Sequence, residues 1–77
     1  MNTAILDGKR IAWGPDTVFL VQVGRGRKGA YRTRYSFRAN LAQAVMHFNC
    51  LNIGLGYKAR IFVPSFNRPV LCRKTSA

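Results

Sequence analysis

Two periods run through this chain. Side chains alternate every second residue over three stretches and recur every third or fourth residue over one. The clearest alternation lies between Thr17 and Arg38. Thr17–Val23 carries Phe19, Val21 and Val23 on one side, and Val18 and Leu20 on the other. A strand apolar on both sides is expected inside a sheet, between neighbours. Ala30–Arg38 sets Tyr31, Thr33, Tyr35 and Phe37 on one face, and Arg32, Arg34, Ser36 and Arg38 on the other. The basic, glycine-rich segment Gly24-Arg25-Gly26-Arg27-Lys28-Gly29 joins the two runs. The prediction is a hairpin with one face that packs and one lined by guanidinium groups.

The remaining pattern adds four strands or half-strands and a helix. Asp7-Gly8 between Ala4-Ile5-Leu6 and Lys9–Trp13 signals a small hairpin over 1–13. Trp13 is expected to cover one edge of the core. Gly14-Pro15-Asp16 reads as a turn. Asn40 is a good N-cap, and Leu41, Ala44, Val45, Phe48 and Leu51 then follow one helical face. This predicts a helix from Leu41 to about Asn52, stopped by Gly54 and Gly56. Tyr57–Val63 alternates Tyr57, Ala59, Ile61 and Val63 against Lys58, Arg60 and Phe62. The segment Pro64–Pro69 reads as a turn. Val70–Arg73 reads as a last short strand, and 74–77 as a frayed tail. The expected fold is therefore α+β: an antiparallel sheet of four to six strands, order β-β-β-β-α-β-β, with one helix across one face.

Composition sharpens that outline. Seventy-seven residues make a single small domain, 1–77, and 48% apolar residues are enough for a folded core. A core of this size is marginal, so a monomer or a homodimer is expected. Thirteen Lys and Arg face only two acids, Asp7 and Asp16, a net charge of +11. Such a field draws nucleic acid, an acidic protein surface or an anionic membrane. No apolar run reaches the length of a membrane helix, and Met1–Leu6 has no signal-peptide character. Cys50 and Cys72 have no metal-site spacing and are expected as free, partly buried thiols in a reducing cytoplasm.

Catalysis is not indicated. Asp7 and Asp16 both fall in turns, so no carboxylate pair is available for acid–base work. The lone His47 has no Ser–Asp or Cys partner in a recognisable arrangement, and no zinc set is present. A surface or capping role is expected for it. No cofactor or metal is expected. The glycine-rich segment is not a nucleotide-binding loop, because it joins two strands and leads into no helix. It is nevertheless well equipped to clamp a phosphate backbone. The residues expected to meet an anionic partner are Arg25, Arg27 and Lys28 on the loop, and Arg32, Arg34, Arg38, Lys58 and Arg60 on the open sheet face. Solvated faces mix charge signs. This one carries no acid, so its like charges repel unless a partner relieves them. The helix has neither acid nor base, which excludes a recognition helix. Lys28-Gly29-Ala30-Tyr31-Arg32 departs from the RNA-recognition-motif signature, and the paired helices of that motif and of double-stranded-RNA domains are missing. Integrase-type arm-binding domains come closer, but lack the two strands that follow the helix.

With its single helix within a small antiparallel sheet, Thr17–Arg73 resembles in layout the ββαββ anti-CRISPR proteins of phages, inhibitors of type I effector complexes. The resemblance is architectural and rests on no shared motif. It implies a cytoplasmic, stoichiometric inhibitor in an infected bacterium that binds a Cas protein and blocks target DNA or nuclease recruitment. Many such inhibitors are acidic DNA mimics, which a chain of +11 is not. A free-standing DNA- or RNA-binding module, such as a small regulator, is the alternative.

Overall fold

In the computed structural model, which describes residues 2–74, the chain builds two antiparallel sheets and one helix. The fold class is the expected α+β. Strands β1 (Asn2–Leu6) and β2 (Lys9–Trp13) form a two-stranded sheet. Their two-residue turn has positive φ at both Asp7 (52°) and Gly8 (77°). Both signs match the right-handed twist of a tight hairpin, and Asp and Gly tolerate them. Strands β3 (Val18–Arg25), β4 (Arg32–Arg38), β5 (Tyr57–Val63) and β6 (Arg68–Lys74) form the main sheet in the order β4-β3-β5-β6. The doubly apolar β3 is central, as its composition requires.

Helix α1 (Leu41–Cys50) lies over the face carrying Phe19, Val21, Ala59, Ile61 and Val63. Asn40 caps it, its Oδ1 accepting from the Gln43 amide at 3.1 Å. Leu41, Ala44 and Phe48 are buried against the sheet, while Ile11 and Trp13 bring the small hairpin into the same core. Trp13 meets the Phe19 ring edge-on at 5.4 Å and donates its Nε1–H to the Ala39 carbonyl at 3.4 Å. These contacts tie the small hairpin to β3 and to the residue that follows β4.

Several boundaries differ from expectation. The helix ends at Cys50, and the extended Leu51 is its C-cap, so Gly54 and Gly56 do not stop it. Leu51 closes the last turn through its amide to the Phe48 carbonyl at 3.3 Å, and Arg73 Nη2, from across the fold, donates to the Leu51 carbonyl at 2.8 Å with its guanidinium 5.4 Å from the Phe48 ring. Gly56, with φ 82°, instead shapes the turn into β5. Gly24 and Arg25 belong to β3, and β4 begins only at Arg32, leaving Ala30 and Tyr31 outside it. Gly29 must be glycine, because a Cβ there would fall on the Arg25 carbonyl. Pro69 sits within β6 and not before it. An outer strand with a register shift accepts a residue that cannot donate. Lys74 closes β6, opposite Lys58, so the frayed tail does not begin there; the rest of 74–77 lies outside the described residues. Cys50 and Cys72 are free, as expected, but exposed. One ends the helix and the other sits on an outer strand, and neither position is covered. Among the described residues no helix is long and apolar enough to cross a membrane.

Candidate functional site

The bases are distributed by the ladder between β3 and β4, which is irregular. From the helix end, Val18 pairs with Arg38, Phe19 with Phe37, Leu20 with Ser36 and Val21 with Tyr35. The next pairs are Gln22 with Thr33 and Val23 with Arg32. Arg34 is an extra residue with no counterpart on β3: a β-bulge. A one-residue slip exchanges the faces of everything beyond it. Two expectations are thereby corrected. Tyr31 and Thr33 do not share the packed face with Tyr35 and Phe37. Arg32 does not share the open face with Arg38, Lys58 and Arg60.

On the open face, the corrected register assembles a polar group. Gln22, 8% exposed, donates through Nε2 to Thr33 Oγ1 at 3.1 Å and accepts from Arg60 Nε at 2.7 Å. The Arg60 guanidinium stacks on Tyr31 at 3.9 Å and on Phe62 at 4.5 Å. Lys58 Nζ lies 4.6 Å from the Tyr31 ring centre and donates to the Arg27 carbonyl at 3.1 Å. The Tyr31 phenol is held above its ordinary pKa of 10.0, chiefly by burial, against the opposing pull of Arg60. Lys58, Arg60 and Phe62 thus stand on the face expected of them.

On the helix side, Val23 pairs with Ala59 on β5 and with Arg32 on β4, and Arg25 pairs with Tyr57. Val23, Arg25, Arg32 and Tyr57, with Arg34, Gly24, Thr33 and Ala30, line a cavity of about 680 Å³. Arg25 lies 5.8 Å from the Tyr57 ring centre. Among the described residues, the side chains of Arg32 and Arg34 make no hydrogen bond, ion pair or ring contact. Arg27 and Lys28 are exposed on the connecting turn. The expected row of bases on one face is therefore a basic end of the hairpin, with charge on both faces and on the tip.

Arg38 stands apart at the other end. Its Nη2 meets Asp16 Oδ1 at 2.6 Å, and its Nε donates to the Pro15 carbonyl at 3.4 Å. With its charge already answered, it is the weakest member of the expected set. His47 is half-buried, Nδ1 2.9 Å from the Gln43 carbonyl oxygen and its ring 4.8 Å from both Tyr35 and Phe37. It closes the side of the helix in place of a surface role. Among the described residues, no three His, Cys, Asp or Glu side chains gather as metal ligands. Comparison with protein-family models, curated proteins and solved structures returns no match.

Sequence reasoning missed Gln22, Thr33 and Tyr31 as partners of the bases. One signal was present: Gln22 is the sole polar residue between Val18 and Val23. A polar side chain buried in a central strand needs hydrogen-bonding partners on the neighbouring strands.

Proposed function

We propose that this protein is a non-enzymatic binding protein that grips the phosphate backbone of a nucleic acid with the basic end of its β3–β4 hairpin. The observation supporting this reading is the convergence of Arg25, Arg27, Lys28, Arg32, Arg34, Lys58 and Arg60 on that end, where neither acid lies. Asp16 is spent on Arg38, and Asp7 lies in the turn between β1 and β2. Arg forks match phosphate oxygens, and each phosphate neutralised releases condensed counterions. A gel shift with random-sequence duplex over a salt series tests the reading. Binding should persist at physiological salt. R32E/R34E should bind far more weakly, and its log–log salt slope should flatten by about 0.9 for every phosphate it no longer neutralises. A folded R32E/R34E protein that binds like wild type would place the site elsewhere.

The ββαββ layout of Val18–Lys74 supports a second reading: an inhibitor that binds a Cas protein of a type I CRISPR effector in the bacterial cytoplasm. Weak duplex binding that vanishes at moderate salt, together with co-purification of a Cas complex from cells carrying such a system, favours it over the first.

A further inference from the structure

The bases at the hairpin's end fall into two kinds. Lys58 and Arg60 are engaged by rings, by Gln22 and by a main-chain carbonyl. Arg32 and Arg34 are not engaged by any side chain or carbonyl among the described residues, and Arg25 has only its distant approach to Tyr57. These three nevertheless line one cavity. Two of them reach it from an edge strand bulged at Arg34, and a bulge is a means of re-aiming side chains. Its volume, about 680 Å³, is that of a pocket for a nucleotide-sized group.

The charge count narrows the ligand. Three guanidinium groups with no acid among the lining residues repel one another until an anion enters. An internal phosphodiester brings a single negative charge, whereas a phosphomonoester brings about −1.5 to −2 at neutral pH, with three acceptor oxygens. Planar guanidinium forks fit such oxygens in pairs. We propose that the cavity lined by Arg25, Arg32 and Arg34 takes a terminal phosphate: the phosphomonoester at the end of a nucleic-acid strand. This rests on the nucleic-acid reading above and adds to it a preference for strand ends.

Fluorescence anisotropy with an internally labelled short oligonucleotide tests the preference. The same sequence is prepared with a 5′-phosphate, with a 3′-phosphate, and with hydroxyls at both ends. At least one phosphorylated form should bind about tenfold more tightly than the hydroxyl form. In R32Q/R34Q, checked for folding by circular dichroism, all three forms should bind alike. If wild type binds all three within about twofold, the strand-end site is overturned while backbone binding stands. If R32Q/R34Q keeps the preference, the cavity is not its source. If no form binds, the nucleic-acid reading itself fails, and inorganic pyrophosphate decides the site. A rise in the unfolding midpoint of wild type but not of R32Q/R34Q upholds a phosphate pocket, and equal or absent shifts overturn it.

Discussion

Strands β4 and β5 flank β3 on its two sides, and both alternate apolar residues with bases. They end up with opposite characters. β5 pairs on both edges and keeps unbroken register with β3, so Ala59, Ile61 and Val63 are wholly buried and Lys58 and Arg60 emerge together on the far face. β4 pairs on one edge only and admits an extra residue, so its alternation changes sides at Arg34. The bases of β5 are held by rings and hydrogen bonds; Arg32 and Arg34 in the first half of β4 have no such partner among the described residues. Alternation along a strand tells which side chains share a face only while the ladder to its neighbour is continuous. A strand paired on both sides enforces that continuity, whereas a border strand does not.

The largest break in this contrast should come from paired truncations. Ile61→Ala removes a side chain with no exposure and should cost about 2–5 kcal/mol in urea denaturation at unchanged m-value. Tyr35→Ala on β4 removes a ring 44% exposed that stacks on Phe37, and should cost about 1 kcal/mol. Equal losses would mean that the border strand carries as much of the core as the inner one.

A smaller effect sharpens the difference between the two sets of bases. Arg60→Met leaves the nearly buried Gln22 Oε1 without its donor and should cost about 1–3 kcal/mol. Arg32→Met should stay within about 0.5 kcal/mol of wild type. Thermal unfolding of the two variants at one salt concentration compares them directly. If Arg32→Met is the more damaging, Arg32 has a partner that its geometry does not show.

The smallest effect is alkaline. Burial raises the folded-state pKa of Tyr31 above 10.0, so the fold favours the neutral phenol. That stability is fully present below pH 10.0, and is lost as pH rises through the higher folded value. Tyr31→Phe should therefore flatten the alkaline limb of the stability–pH curve, and phenolate absorbance of wild type minus variant should titrate late. An identical alkaline limb in both proteins would show that burial of Tyr31 does not outweigh the opposing pull of Arg60.

Much of the fold was readable because it rests on local chemistry. Asp7-Gly8 permits a tight turn that suits its hairpin, Asn40 supplies an acceptor for a first-turn helical amide, and β3 is too apolar to border solvent. The face of Tyr31, Thr33 and Arg32 was not readable, since Tyr-x-Thr-x-Tyr-x-Phe alternates perfectly within the strand. The bulge is a property of the pairing with β3, and no spacing inside β4 records it. The helix C-terminus was missed for a related reason: Leu51 turns extended there, and the Arg73 that meets its carbonyl lies 22 residues away. Of the candidate site, the identities of the bases were legible, as were the faces of Lys58 and Arg60. The neutralisation of Arg38 by Asp16 required tertiary structure.

The bulge at Arg34 has one more effect, on the company the molecule keeps. A sheet border offers a row of main-chain donors and acceptors on which another chain can zip up. On β4 that row is interrupted by the extra residue and fringed with Arg32 and Arg34, so an incoming copy would meet like charge along its first half. The opposite border, β6, has a proline and an irregularity of its own. Both rims of the main sheet are thereby blunted against pairing with a second copy.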